Sequence, residues 1–298
     1  MSETSHPTPP ARSLQDLVAL LTLERQDATT YRGRPEDPGW GRLYGGHVYA
    51  QALAAAAATV PGDRPVHAHQ GTFLLPGDVA APITYTVDVA RDGRSFSSRR
   101  VAAYQRDQMI FHATCSFHTP EPGFEHQDPM PNTVPPEAVA TEAEMMASLS
   151  SRLPRRVRDF LVSTNAFELR PTPPLDDPTS PAVRPARRDV WLRGVGDAPD
   201  DPAVHAMLLA YASDYLFLTT ALMPHGVSWL SPDMHVATLN HALWFHAPFR
   251  VDDWLLHAIH SPRASQARGL VQGGFYTPGG VLVATSTQEG LMRHAPRA

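Results

Sequence analysis

The chain has 298 residues and a formal net charge of −5, and 42% of its residues are hydrophobic. That length suffices for two domains, or one large one, with a sizeable core. No apolar run approaches the roughly 18 residues that cross a membrane, which excludes a membrane span. All 25 basic residues are arginine, which excludes a lysine nucleophile and a P-loop. The mildly acidic total, without a basic run, argues against nucleic acid as a partner.

The two ends of the sequence and its cysteine content predict a location. The first 13 residues are polar and contain prolines, without the apolar stretch of a secretory signal. The last six residues are not a peroxisomal address. The single cysteine, Cys115, cannot form an internal disulfide and is expected to be a core residue. These features predict a protein of the reducing cytoplasm.

The distribution of proline divides the chain. Six of the 30 prolines lie within 119–136 and eight within 171–202. Because proline disrupts helix interiors and central strands, both stretches are predicted to be irregular. Between them, 139–162 is predicted to be helical with an interruption at Pro154. We therefore predict an N-terminal unit over 1–118, a proline-rich connection over 119–204 and a C-terminal unit over 205–298.

The N-terminal unit shows helical and then strand-like patterns. Ser13 to Asp16 resembles a capping box, and leucines at helical spacing follow it. A loop rich in Gly, Pro and Arg is expected next, up to Gly45 and Gly46. Residues 47–59, rich in alanine, predict a buried helix. Four strands are then predicted, at 66–75, 83–90, 96–105 and 109–117.

The C-terminal unit repeats this order. A helix is predicted over 205–222, followed by strands at 236–246, 254–260, 267–276 and 281–288. Three residues recur 172 positions later: His69, Phe73 and Pro76 match His241, Phe245 and Pro248. The helices align at another offset, through Pro61 and Pro224, which places Gln51 where Asp214 stands. These matches predict one structural unit present twice.

An apolar helix followed by four or more antiparallel strands favours a curved sheet that covers the helix. This is the hotdog arrangement. Two copies would pair sheet edge to sheet edge, which buries edges that would otherwise invite aggregation. The predicted fold is therefore α+β, a double hotdog with two tandem helix-plus-curved-antiparallel-sheet units in one chain.

Several segments resemble the acyl-CoA thioesterase II family, whose members are double hotdogs. They occur in the family's order between about residue 31 and residue 293: 45–53, 91–96, 123–127, 211–214, 244–249 and 288–290. The resemblance implies hydrolysis of an acyl-CoA substrate with no cofactor. It also implies a homo-oligomer of double-hotdog chains.

The resemblance further implies a catalytic set. In the family this is an aspartate at the central helix of the second hotdog, a threonine on its first strand and a glutamine on its last. The matching motifs place these roles on Asp214, Thr238 and Gln288. A carboxylate that polarises water, with a hydroxyl and an amide to orient it, needs no metal and no covalent intermediate. Backbone N–H groups near the start of a helix are the expected oxyanion donors.

Three residues depart from the family pattern. His47 stands where a glutamine is usual, Asn240 where an aspartate is usual, and Ala247 where an arginine is usual. None of these positions belongs to the implied catalytic set. Because Asn240 and Ala247 flank Thr238, the departures bear on specificity more than on activity.

Asp214 also stands out from the residues alone. It is the only charged side chain between His205 and Met223, in a segment that is otherwise largely apolar. A carboxylate there must be paired or must have a raised pKa. The residues alone leave two interpretations open, local pairing at a helix irregularity or catalysis. Thr238 and Gln288 taken singly are as compatible with structural roles.

Three alternatives to a metal-free thioesterase are a metal site, a hotdog enoyl-CoA hydratase and a non-catalytic acyl-CoA binding module. Fifteen histidines raise the possibility of a metal site: His67 and His69 are expected to share one face of a strand, and His241 and His257 to share a face on adjacent strands where the register permits. Without a His-Glu-x-x-His motif, a cysteine cluster or accompanying acids, we expect no metal. A hotdog enoyl-CoA hydratase would pair Asp214 with a histidine, for which His225 is the candidate. A non-catalytic acyl-CoA binding module would lack Asp214 or carry a DNA-binding motif.

Overall fold

The computed structural model describes residues 13–37, 41–149 and 166–295. The α-helices of these ranges are α1 (Leu14–Leu21), α2 (Gly45–Ala57), α3 (Glu142–Leu149) and α4 (Pro202–Ala212), and the 3₁₀ helices are Pro136–Ala138 and Leu218–His225. None of the helices in these ranges is long and apolar enough to cross a membrane.

The strands of the described residues form a single sheet of 12 strands. They are β1 (Glu24–Arg25), β2 (Thr30–Gly33), β3 (Val66–Phe73), β4 (Ile83–Asp92), β5 (Phe96–Gln105), β6 (Gln108–His118), β7 (Phe167–Thr172), β8 (Arg187–Gly194), β9 (Met234–Phe245), β10 (Leu255–Ser265), β11 (Arg268–Tyr276) and β12 (Leu282–His294). The eight strands predicted from the sequence are all present, with ends that differ by a few residues.

The order of the strands is symmetric about the centre of the sheet. It runs β1-β2-β4-β5-β6-β3 in one half and β9-β12-β11-β10-β8-β7 in the other, and every pair is antiparallel. The halves join where β3 pairs with β9, and Gln70 lies opposite Ala242. These two residues are 172 positions apart, the offset of the sequence repeat, so the local twofold axis passes between them. The two halves therefore pair edge to edge, as predicted.

The helices pack on the concave face of this sheet, where the hydrophobic core lies. Helix α2 packs against β2 to β6 on one side and against α4 on the other. Its alanines at positions 50, 52, 55 and 56 are fully buried, which permits close approach of its neighbours. Helix α1 begins with the predicted capping box: Asp16 N–H donates to Ser13 Oγ, and Ser13 N–H donates to the Asp16 carboxylate. Three of its four leucines, Leu14, Leu17 and Leu21, are fully buried in the same core.

The proline-rich connection is more regular than predicted. The expectation that 171–202 is irregular is wrong for 187–194, which forms β8 and pairs with β10. The prolines of this stretch lie before and after β8, and none lies within it. Pro171 is tolerated in β7 because β7 is the outermost strand of the sheet. The second half of the sheet thus includes residues that precede position 205.

Three further predicted segments differ from the structure at least in part. The loop predicted between α1 and α2 contains β1 and β2, which extend the edge of the first half. The single helix predicted over 205–222 is wrong, because α4 ends at Ala212 and a 3₁₀ helix follows after a turn. The helical patch predicted over 139–162 is present as α3 up to Leu149, and residues 150–165 lie outside the described ranges.

Candidate active site

The candidate site lies where the two halves meet, at the C-terminal end of α4 and the N-terminal end of α2. Asp214 follows α4 by two residues, and Gly46 lies in the first turn of α2. The backbone N–H of Gly46 donates to Asp214 Oδ2 at 3.0 Å. A carboxylate is favoured at this position because the first N–H groups of a helix have no partner within it. Backbone N–H groups near a helix start are the expected oxyanion donors, and here one of them, the Gly46 N–H, binds Asp214 instead.

Thr238 and Gln288 meet Asp214 from two neighbouring strands, β9 and β12. The Gln288 amide Nε2 donates to Asp214 Oδ1 at 2.6 Å and to Thr238 Oγ1 at 3.0 Å. Gln288 is fully buried, and its orientation follows from the carboxylate, which can only accept. Because Thr238 Oγ1 accepts from Gln288, its own hydrogen is available to the Asp214 carboxylate, to which it donates. The three residues predicted from the sequence therefore form one hydrogen-bonded group.

The environment of Asp214 shifts its acidity. Burial raises the pKa of this carboxyl above its ordinary value of 3.8, because a low-dielectric surrounding disfavours the charge. The Gln288 amide, the Gly46 N–H and the Thr238 hydroxyl act in the opposite direction and lower the pKa, but burial outweighs them. A raised pKa makes the carboxylate a stronger base than an exposed aspartate.

A pair of glycines permits the close approach of Asp214 to α2. A Cβ on Gly45 would lie 2.8 Å from Asp214 Oδ2, and a Cβ on Gly46 would lie 2.4 Å from the Tyr211 carbonyl oxygen. Position 46 requires glycine because the clash there is with backbone, whereas a side chain at position 45 would displace the Asp214 carboxylate. Sequence reasoning used this pair only as part of a motif. Two glycines at the start of a helix, which lowers helix propensity, were the available signal.

Tyrosine side chains fix the end of α4 against the start of α2. Tyr44 Oη donates to the Tyr211 carbonyl oxygen at 3.1 Å, and its ring stacks on Tyr215 with centroids 5.5 Å apart. Burial, and then the charge of Asp214, raises the pKa of Tyr44 well above 10, so its hydroxyl stays a neutral donor. These contacts join the two halves beside the site, and no pattern in the sequence indicates them.

A β-bulge directs Thr238 into the site. On β9, His241 pairs with Gln288 and Thr238 pairs with Gly290, and the register shifts between them. Side chains alternate along a regular strand, so residues three apart would face opposite sides. The extra residue in β9, Leu239, places Thr238 and His241 on the same inner face. The same shift occurs in the first half, between Val66 and Ala68 of β3.

The three departures from the family pattern lie outside this hydrogen-bonded group. His47 Nε2 donates to the Arg34 carbonyl oxygen at 2.9 Å. Asn240 Oδ1 accepts from the Glu289 N–H at 3.2 Å, on the strand face opposite Thr238. Ala247 lies just after β9 and its N–H donates to the Val283 carbonyl oxygen. The first two side chains therefore have structural hydrogen bonds of their own.

Two expectations about the histidines are wrong. The bulge in β3 separates His67, whose ring meets Ser116 Oγ at 2.7 Å, from His69, which is fully buried against Tyr49. His241 and His257 lie on strands that are separated by β12 and β11, so they are not on adjacent strands. In the described residues, no group of three or more His, Cys, Asp or Glu side chains could hold a metal ion.

Comparison with known proteins identifies the family. A model described as acyl-CoA thioesterase matches residues 178–291, and one described as acyl-CoA thioesterase N-terminal domain matches residues 35–118. Acyl-CoA thioesterase 2 of Haemophilus influenzae is 42% identical over 280 residues, which are 94% of this chain and 98% of that protein. Human acyl-coenzyme A thioesterase 8 is 37% identical over 291 residues, 94% of this chain and 90% of that protein.

A solved structure shows the same fold. The crystal structure of an acyl-CoA thioesterase II from Mycobacterium marinum matches with a TM-score of 0.76 and 34% identity, over 94% of this chain and 98% of that one. The molecule is therefore an α+β double hotdog, as predicted. The chain belongs to the acyl-CoA thioesterase family, a family of hydrolases that act on thioester bonds.

Proposed function

We propose that this protein hydrolyses acyl-CoA thioesters to a free fatty acid and CoA, by direct attack of a water that Asp214, Thr238 and Gln288 hold. The observation that carries the proposal is the hydrogen-bonded group of these three side chains at the interface of the halves. Membership of the thioesterase family supports the substrate class. The roles of the three residues come from the family resemblance, and their hydrogen-bonded geometry supports them.

Asp214 acts as the general base. Its carboxylate accepts hydrogen bonds from Gln288, Gly46 and Thr238, and because an ionised carboxylate has about four acceptor sites, one remains for a water proton. The raised pKa increases the tendency to take that proton. The base removes one proton as the water oxygen bonds to the thioester carbonyl carbon, and the C–S bond then breaks to release the CoA thiolate.

Thr238 and Gln288 orient rather than accept. The Gln288 amide holds both Asp214 and Thr238, so it fixes the distance between base and hydroxyl. The Thr238 hydroxyl donates its own hydrogen to the Asp214 carboxylate and so helps to fix the base for the attacking water. Positioning of this kind is worth several orders of magnitude in rate when the geometry is close to that of attack.

The test is release of free thiol from palmitoyl-CoA in a colorimetric assay. We expect turnover by the wild-type protein and its loss in Asp214→Asn. Wild-type protein that is folded and releases no thiol from short-, medium- or long-chain acyl-CoA would contradict the activity. Turnover retained by Asp214→Asn would contradict the mechanism and leave the activity intact.

The hydratase alternative receives less support. Asp214 is bonded by Gly46 and Gln288, whereas the candidate histidine His225 is exposed at the end of a 3₁₀ helix. An assay with an enoyl-CoA distinguishes hydration from hydrolysis. Hydration is measured as a loss of absorbance of the conjugated thioester, and hydrolysis as release of free thiol. The binding-module alternative predicts acyl-CoA binding without thiol release.

We also propose a cytoplasmic location and a homo-oligomeric state. The single cysteine is buried, with the pKa of its thiol raised by burial, which suits a reducing compartment where it has no disulfide to form. Apolar side chains remain exposed on the single chain, Phe124 fully and Val183 at 74%. Light scattering during size-exclusion chromatography checks the assembly, and a monomeric mass at micromolar concentration would contradict it.

A further inference from the structure

Asp214 lies in a turn that is not part of a regular helix. Helix α4 ends at Ala212, and the 3₁₀ helix begins at Leu218. Within this turn Leu216 has a φ of 55°, the left-handed region that residues other than glycine rarely adopt. Such a conformation persists only where surrounding contacts hold it. The position of the Asp214 carboxylate therefore depends on what packs against residues 213–217.

One buried histidine contacts both ends of this turn. His241 Nε2 lies 2.8 Å from Ser213 Oγ, and its ring meets the Phe217 ring edge-on with centroids 5.6 Å apart. Ser213, Phe217 and His241 are 0%, 0% and 2% exposed. Ser213 and Phe217 bracket Asp214 on the chain. His241 is thus the contact common to the residues before and after the carboxylate.

The hydrogen-bond pattern gives the direction of the His241–Ser213 bond. Ser213 Oγ also lies 2.9 Å from the Ala210 carbonyl oxygen, which can only accept, so the single hydroxyl hydrogen goes there. Ser213 Oγ must then accept from His241 Nε2–H. Nδ1 is left as an unprotonated acceptor, which costs less in a buried place than an unpaired N–H, and no described residue donates to it.

His241 is itself held rigidly. It lies on β9 opposite Gln288, and the bulge places it on the same inner face of the sheet as Thr238. Its ring packs edge-on against Tyr49 of the first half, with centroids 4.6 Å apart. A side chain fixed between two strands and a helix can transmit their position to the turn.

We infer that His241 is a positioning residue for the thioester hydrolysis proposed above: through Ser213 and Phe217 it holds the turn that carries Asp214 at the distance where Gln288 and the Gly46 N–H bind the carboxylate. This inference rests on the proposed function, because His241 is assigned only the positioning of the proposed base, Asp214. His241 itself makes no contact with substrate in this proposal.

The first half of the chain supplies a matched control. His69 occupies the equivalent position of the repeat and is fully buried. Its Nε2 meets the Tyr49 carbonyl oxygen at 3.0 Å, within the unbroken helix α2, and its Nδ1 meets Cys115 Sγ at 3.1 Å. Removal of either histidine therefore empties a similar buried volume, but only His241 adjoins a turn with a carboxylate.

The experiment compares His241→Leu, His241→Gln, Ser213→Ala and His69→Leu by steady-state hydrolysis of palmitoyl-CoA and by thermal melting. Because a misplaced base loses near-attack geometry, we expect His241→Leu and Ser213→Ala to lower kcat about 10–100-fold, with KM changed less than about threefold. His241→Gln, whose amide can donate from near the Nε2 position, is expected to recover most of this loss. His69→Leu is expected to lower the melting temperature as much as His241→Leu while kcat stays near the wild-type value.

A further measurement separates positioning from loss of structure. The acid limb of the kcat–pH profile reports the ionisation of the base, so it is expected to move in His241→Leu and to stay in place in His69→Leu. Equal loss of kcat in both leucine variants would overturn the inference, and so would a folded His241→Leu with wild-type kcat. If His241→Leu does not fold, unchanged kcat in Ser213→Ala overturns it.

Asp214→Asn in the same series distinguishes a failure of the proposed mechanism from a failure of the role of His241. Wild-type turnover in Asp214→Asn means that the proposed mechanism fails. Loss of turnover in Asp214→Asn with wild-type kcat in the His241 and Ser213 variants means that only the role of His241 fails.

Discussion

The two halves of the chain share one architecture but differ at the positions that form the candidate site. Each half has six strands in mirrored order, and a bulge at the same place in the repeat. The residue opposite the repeated histidine is Gln288 in the second half and Cys115 in the first. The residue before the bulge is Thr238 in the second half and Val66 in the first. The first half thus retains the frame without the polar groups.

The helices differ more than the strands. Gln51, which aligns with Asp214, lies within the continuous helix α2, and its amide bonds the Tyr85 hydroxyl and the Leu20 carbonyl oxygen. In the second half the helix ends at Ala212, and the turn that follows directs Asp214 towards β9 and β12. The comparison shows that the site depends on where the helix breaks as well as on which residue the position carries.

The largest expected effect is that of Asp214→Asn. Loss of the base is expected to lower kcat about 10²–10⁴-fold in single-turnover hydrolysis of palmitoyl-CoA. The melting temperature should change little, because removal of a desolvated charge offsets the one donor that the new amide leaves unpaired.

Gln51→Ala is the matched control for the first half. It is expected to keep wild-type turnover while it loses about 1–3 kcal/mol of stability, because buried hydrogen-bonding groups lose their partner. A folded Gln51→Ala protein without activity would show that the first half takes part in the chemistry.

Gly45→Ala is expected to have the next largest effect. The added Cβ would lie 2.8 Å from Asp214 Oδ2 and would displace the carboxylate. A displacement near 1 Å lowers kcat by about 10–100-fold. Gly62→Ala is the control, since nothing lies within 4 Å of a Cβ there. Equal activity of the two variants would mean that the approach of α2 to Asp214 has no role in turnover.

Thr238→Val gives the second half the residue that the first half carries before its bulge. The substitution keeps the shape and removes the hydroxyl, and we expect kcat to fall about 10-fold, less than for Asp214→Asn, because the role proposed for Thr238 is to orient and not to accept a proton. Thr238→Ser is expected to restore most of the rate. A valine variant as active as the serine variant would exclude a role for the hydroxyl.

The last expected effect concerns stability in acid and leaves turnover at neutral pH unchanged. Burial lowers the pKa of His69 to about 4 and that of His241 to about 3, from 6.5, and it also lowers the pKa of His257 well below 6.5. The unfolded chain therefore binds more protons than the native protein below pH 6.5, so stability falls as the pH falls from about 6.5 towards 4. Each histidine contributes a slope of about 1.4 kcal/mol per pH unit.

Urea unfolding between pH 4 and pH 7 measures this slope. His69→Leu and His241→Leu should each flatten it by one proton, in whichever half the histidine lies. An unchanged slope in either variant would mean that the histidine is not the group that titrates on unfolding.

The sequence supports the repeat, the eight long strands and the residues of the candidate site. Period-two alternation and the 172-residue offset are strong because each strand has one buried face, and Asp214 is conspicuous as a lone charge in an apolar segment. The roles of Thr238 and Gln288 followed from the family resemblance, since single threonine and glutamine residues carry no pattern. Their meeting in space depends on strand order, which the resemblance implied and alternation alone did not.

Other features have no local signal. The break after Ala212 occurs in a run of apolar residues without proline or glycine, so it reflects tertiary contacts such as that of His241 with Ser213. The bulge at Leu239 is a matter of register against β12, which no single strand encodes. Strand β8 was missed because the prolines around it dominated the composition of its segment.

The hydrogen bond from the Gly46 N–H to Asp214 has a consequence for how activity depends on dilution. The donor belongs to one half and the carboxylate to the other, so the site exists only while the halves are docked. In two separate chains, docking would be bimolecular and would fail below the dissociation constant. Here one polypeptide links them, so docking is intramolecular and proceeds at a fixed effective concentration that the length of the connection sets. As far as this contact is concerned, turnover per chain should stay constant however far the enzyme is diluted.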